Sequence, residues 1–134
     1  MEISYFLLPK DQVAYITSSI SMLEALDELE RHYYSAIPII DGDGKYVGTL
    51  SEGDLLWKLK NTAGLDFENM RDIKVSDIQR HVHNESVEIQ AQMEDMLTLA
   101  ADQNFVPVTD RSGVFLGIIR RKDIIEYYTR NITD

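Results

Sequence analysis

The stretch SAIPIIDGDGKYVGTLSEGDLL, residues 35–56, decides how this chain folds. It opens on a short apolar run, Ile37 to Ile40, rich in branched side chains and suited to a strand buried on both faces. Asp41-Gly42-Asp43-Gly44 follows, a turn whose glycines are expected to supply positive φ and close a hairpin. Tyr46 to Leu50 reads as the return strand. Ser51-Glu52-Gly53-Asp54 then opens a helix through Leu55, Leu56, Trp57 and Leu59. The pattern returns at NFVPVTDRSGVFLGIIRRKDII, residues 104–125. With Pro38 set against Pro107, Asp41 meets Asp110, Gly44 meets Gly113, Gly48 meets Gly117 and Asp54 meets Asp123. Apolar positions agree as well: Ile37 with Val106, Ile39 with Val108, Leu50 with Ile119, Leu55 with Ile124. No gap interrupts the match, so one structural unit occurs twice.

Working outward, Ser21-Met22-Leu23-Glu24 is a capping box, and Leu23, Leu26 and Leu29 carry an apolar helical stripe toward Tyr33. Met93, Met96, Leu97 and Ala100 predict the matching helix in the second repeat. There the hairpin strands are Phe105 to Thr109 and Val114 to Ile119, and a helix from Lys122 carries Ile124, Ile125, Tyr127 and Tyr128. Short leader strands are expected at Val13 to Ile16 and at about Val82 to Ile89. Residues 61–72 are polar and turn-prone and are expected to link a first motif, 1–60, to a second, 73–134. The fold class is α/β (α+β), with the order β-α-β-β-α used twice.

Composition narrows the function. A chain that is 44% hydrophobic and 27% charged has the makings of a packed core. No apolar run approaches the ~18 residues a membrane helix needs, and the N-terminus lacks the basic region of a secretory signal, so a cytoplasmic protein without membrane contact is expected. A net charge of −10 argues against a nucleic-acid partner, because phosphate backbones require a basic face. The absence of cysteine excludes disulfides and thiolate catalysis. There is no phosphate-binding loop, nucleophile elbow or HExxH helix, so no enzyme is expected. His81 and His83 would face one way on a strand, but no third ligand accompanies them and no metal is expected. Arg120-Arg121-Lys122 is the densest basic run, and either a solvated helix start or an anion contact accounts for it. Ser51 and Asp54 are likewise open to two readings. The pair is what an ordinary helix N-terminus looks like, and it is also a hydroxyl and a carboxylate facing one cleft.

The doubled signature, SAIPIID…VGTLSEGD and NFVPVTD…LGIIRRKD, resembles the tandem CBS (cystathionine β-synthase) domain pair, or Bateman module. The resemblance covers roughly residues 8–128 and implies a small standalone member without a catalytic domain. In that family two pseudo-symmetric units pack through their sheets, leave clefts for adenine nucleotides and commonly form homodimers. Carried onto this chain, Asp54 would accept the ribose hydroxyls beside Ser51. The base would lie between Ala14 and Ile16 on one side and Tyr34, Ser35 and Ala36 on the other, above Leu50. Phe105, Ile119 and Asp123 belong to the corresponding set in the second repeat, where Arg120 stands in place of the usual Ser or Thr. Arg80, Asn104, Arg121 and Lys122 are candidates for reaching phosphate. The implied function is a non-enzymatic sensor of AMP, ADP or ATP that signals to an unknown protein partner, with no cofactor required. Two alternatives stand beside it. QVAYI, YSAIP and the RRK run are similar to small two-CBS receptors of cyclic di-AMP, and a ligand-free interaction module would use only its dimer surface.

Overall fold

A computed structural model of the chain describes residues 1–81 and 83–133. The described strands are β1 (Leu8–Pro9), β2 (Ile16–Thr17), β3 (Ala36–Ile40), β4 (Tyr46–Ser51), β5 (Val87–Glu88), β6 (Phe105–Thr109) and β7 (Phe115–Arg120). The α-helices are α1 (Met22–His32), α2 (Glu52–Asn61), α3 (Leu97–Asp102) and α4 (Arg121–Thr133). By contact the chain divides into two compact units. One is Ala14–His83; the other combines Met1–Val13 with the chain from Asn84 onward.

In the first unit the sheet order is β2-β3-β4. β3 and β4 form the predicted antiparallel hairpin, with Ile37 opposite Leu50 and Pro38 opposite Thr49. The Asp41 carboxylate fixes the turn by accepting from the N–H groups of Asp43 and Lys45. Only Gly44 has positive φ there; Gly42 does not. β2 runs parallel to β3 and pairs with Ile39 and Ile40 alone, so it stops short of Pro38. A proline has no N–H for a ladder and is tolerated where one side of its strand is open. The leader strand is therefore shorter than the apolar pattern of Val13 to Ile16 suggests, and it extends to Thr17 instead.

Helix α1 starts at Ser21, whose hydroxyl accepts the Glu24 N–H at 3.1 Å, while its own O–H lies 3.3 Å from the Glu24 carboxylate. It ends on Tyr33 in the left-handed region at φ 55°, and the Tyr34 N–H returns to the Leu29 carbonyl. Its buried face is Met22, Ala25 and Leu29; Leu23 and Leu26 of the expected stripe lie at its margin. These pack with Ile16, Ile37, Ile39, Leu50 and Leu55. Residues 61–72, expected as linker, contribute Met70 to this core, fully enclosed beside Val75 and Ile78.

The second unit has the sheet order β1-β7-β6-β5. β6 and β7 repeat the hairpin, and Asp110 repeats the turn by accepting from Ser112 and Val114. β5 pairs with Val108 and Thr109, again just beyond the proline, so the leader expected over Val82 to Ile89 is confined to Val87–Glu88; Val82 lies outside the described residues. β1 is an addition that the repeat does not contain. It runs antiparallel to β7, with Pro9 opposite Gly117, and the preceding turn buries Ile3 completely. The helix expected from Met93 to Ala100 is broken into a 3-10 turn, Met93–Asp95, and the short α3. No side chain caps either start, whereas α1 has Ser21. None of the helices described is long and apolar enough to cross a membrane.

Candidate functional site

The site that the sequence singles out begins where β4 runs into α2. Ser51 is the N-cap and Asp54 sits in the first turn, and the two form a complete capping box. The Asp54 N–H donates to the Ser51 hydroxyl at 3.1 Å, and the Ser51 N–H donates to Asp54 Oδ2 at 2.9 Å. The second carboxylate oxygen looks elsewhere. Oδ1 accepts the His81 main-chain N–H at 2.7 Å and lies 3.0 Å from His81 Nδ1. Asp54 is 0% exposed, which is uncommon for a carboxylate and is sustained here by these hydrogen bonds and the helix N-terminus. The imidazole that covers it is about half exposed.

His81 is therefore a member of this site that sequence reasoning missed. Its spacing from His83 drew attention to metal binding instead, and no local pattern links it to Asp54, which lies a helix and two turns earlier in the chain. Among the described residues no cluster of His, Asp and Glu is arranged to hold a metal.

Of the residues proposed for the base, three border hollows in the first unit. Ile16 is buried and borders a hollow of about 370 Å³ with Tyr15 and Thr17. Tyr34 and Ser35 line a different hollow, of about 550 Å³, with Leu26, Tyr33 and Glu52. Tyr34 stacks on His32 at 5.4 Å, and the Ser35 carbonyl accepts the Glu52 N–H. Ala36 begins β3, and Ala14 packs against the first unit's core. Leu50, expected beneath the base, is 0% exposed and belongs to that core, because strand alternation turns it inward.

Arg80 lies across the strand rather than projecting away from it. Its guanidinium carbon is 2.8 Å from where a Cβ on Gly48 would stand, so the close approach that this glycine permits is made by the chain itself. Arg80 also bears on Tyr46. Burial pushes the Tyr46 phenol up, while its 2.7 Å hydrogen bond with Thr49 and the nearby Arg80 charge pull the other way.

The second unit repeats the geometry with a different partner. Arg120 grips Asp123 with two nitrogens, Nε to Oδ2 at 2.9 Å and Nη2 to Oδ1 at 3.3 Å. The residue that replaces the usual hydroxyl thus occupies the carboxylate. Arg121 turns the other way, donating from Nε to the carbonyls of Ala100 and Gln103. Its own N–H donates to the Asn104 carbonyl. Lys122 is exposed. Phe105 lies buried on β6, and Ile119, like Leu50, is a core residue with no exposed surface.

The family model of the CBS domain matches the chain twice, at residues 5–61 and 75–130. A search of the curated proteins finds no match. Solved structures do match along the whole chain. CbpB of Listeria monocytogenes in complex with c-di-AMP has a TM-score of 0.82 at 24% identity, over 98% of this chain and 97% of that one. A hypothetical conserved protein of Geobacillus kaustophilus has a TM-score of 0.83 at 25% identity, over 98% of both chains. CBSX2 in complex with AMP has a TM-score of 0.73 at 23% identity, over 96% of both. The likeness is one of fold and duplicated architecture.

Proposed function

Because the chain belongs to the CBS-domain family, as a tandem pair of its units, we propose that it is a non-enzymatic regulatory module that binds an adenine nucleotide and signals to a protein partner. The observation that supports this best is Asp54. A carboxylate held at a helix N-terminus, with one oxygen fixed by the cap and the other aimed out of it, is an acceptor suited to a vicinal diol. Ser51 stands beside it, and Asp123 occupies the equivalent place in the second repeat. Signalling requires that the ligand favour one arrangement of the molecule over another.

AMP, ADP or ATP is the first choice of ligand, and the fold relative CBSX2 was solved with AMP. Cyclic di-AMP is the second reading. CbpB was solved with it, and the exposed Lys122 offers this chain a cation for a phosphodiester. A second copy of the chain is the proposed assembly partner. Leu56 and Ile125, equivalent in the two repeats, are 57% and 51% exposed. A cytoplasmic setting, where adenine nucleotides are made, goes with this reading.

A thermal-shift panel of adenosine, AMP, ADP, ATP, cyclic di-AMP and guanosine analogues tests the proposal. A ligand at a hundredfold over its Kd adds about 2.7 kcal/mol. For a chain of this length that is a rise in Tm of roughly 10 °C. Asp54→Ala should abolish the response while the protein remains folded by circular dichroism. If no adenine compound shifts the melting temperature, the interaction module without a small ligand takes its place.

A further inference from the structure

We propose that His81 is an internal competitor for the ribose acceptor, and that it makes binding at the Asp54 site weaker as pH falls. This rests on the reading of Asp54 just given and adds to it the group that must leave. With His81 in place, Oδ1 of Asp54 carries both a main-chain and a ring contact, and Oδ2 carries the cap. A carboxylate oxygen has two acceptor positions, so Oδ1 is full and a single one remains on Oδ2. A vicinal diol needs two. Nothing of Asp54 is exposed to solvent, whereas the imidazole over it is 48% exposed. A hydroxyl therefore reaches the carboxylate by displacing the ring.

The charge state of the ring sets how hard that is. Protonated imidazole donates from Nδ1 and pairs with the carboxylate by charge as well; neutral imidazole holds it by at most one ordinary hydrogen bond. Binding that releases the ring also releases a proton, so affinity rises with pH across the interval in which histidines change charge, ~5 to 8. The other charged groups around the ring are two cations and one carboxylate. Lys58 of α2 and Asp77 of the 75–77 turn line the same hollow as His81, and Arg80 precedes it along the chain. Asp54 is the one that touches it. The second repeat provides the contrast: Arg120 makes the equivalent contact with Asp123 and keeps its charge throughout.

The test is isothermal titration of the full chain with adenosine, which carries the free vicinal diol, at pH 6 and pH 8. Monophosphate esters are avoided because they themselves titrate near pH ~6. Wild type should bind about threefold or more tightly at pH 8, a range suited to a half-exposed ion pair. His81→Ala should bind as tightly at pH 6 as at pH 8, and at pH 6 more tightly than wild type. His32 and His83 remain in that variant, so their contributions are separated. Equal wild-type affinity at both pH values, or a pH dependence that survives His81→Ala, overturns the competitor and leaves the nucleotide reading standing. No binding by either protein at either pH overturns both.

Discussion

Arg121 donates from Nε to two main-chain carbonyls, those of Ala100 and Gln103, and so closes the C-terminal end of α3. Carbonyls at a helix C-terminus lack intrahelical partners, and a charged donor serves them well. Lys122, one residue on, is exposed. The two cations are therefore separable by experiment. Arg121→Ala should lower stability by about 1–3 kcal/mol in urea unfolding, with little change in affinity for a phosphorylated ligand. Lys122→Ala should leave unfolding unchanged and weaken cyclic di-AMP or ATP more than adenosine. The reverse result would return Arg121 to the phosphate site. Glu94 gives a residue-scale prediction in pH. Its carboxyl is held at about 2, below its ordinary 4.5, chiefly by the Tyr127 hydroxyl and then by the Met1 amine. A depressed carboxyl contributes stability above its ordinary value and loses it as pH falls from about 4.5 toward 2. Tyr127→Phe should move the Glu94 midpoint upward in a carboxyl NMR titration. Because the group is at the surface, stability at neutral pH should hardly change.

At the scale of the element, the strands show what a local pattern can reveal. The hairpins were legible because apolar alternation, a glycine turn and a capped helix start all lie within one short stretch, and each repeat confirms the other. The leader strands were legible only in place. Their length is set by the prolines on the neighbouring strand, so an apolar run longer than the pairing it can make gives the wrong bounds. β1 carried no repeat signal at all. It packs on Gly117, which sits at positive φ with the Leu8 carbonyl 2.1 Å from where a Cβ would stand. Gly48 is the matched control, since its neighbour is the end of the Arg80 side chain, 2.8 Å away. A main-chain carbonyl inside a ladder cannot yield; a guanidinium can swing out. Gly117→Ala should therefore cost more than Gly48→Ala, about 3 kcal/mol or above against about 1–2. Equilibrium unfolding of both variants decides it, and equal losses would place the cost in backbone φ rather than in the approach of β1.

At the scale of the whole chain, duplication supplied two equivalent aspartates, and divergence gave them different partners. Ser51 and Asp54 could be found from spacing alone, because a capping box is local. His81 could not, because its contact with Asp54 depends on how the chain returns after α2. Arg120 was visible as a departure from its repeat, but its effect was not: the side chain satisfies Asp123 directly and at both oxygens. The two repeats should then differ in use, with Asp54 available once His81 moves and Asp123 held by a permanent charge. Arg120→Thr tests this by restoring the hydroxyl that Ser51 provides in the first repeat. Removing the guanidinium frees both Asp123 oxygens, and a threonine hydroxyl can cap α4 as Ser51 caps α2. Titration with adenosine should give one equivalent per wild-type chain and approach two in the variant, with the first site unchanged in affinity. Asp54→Ala combined with Arg120→Thr should retain the new site alone. If the stoichiometry stays at one, Arg120 is not what closes the second repeat, and the asymmetry lies elsewhere in its walls.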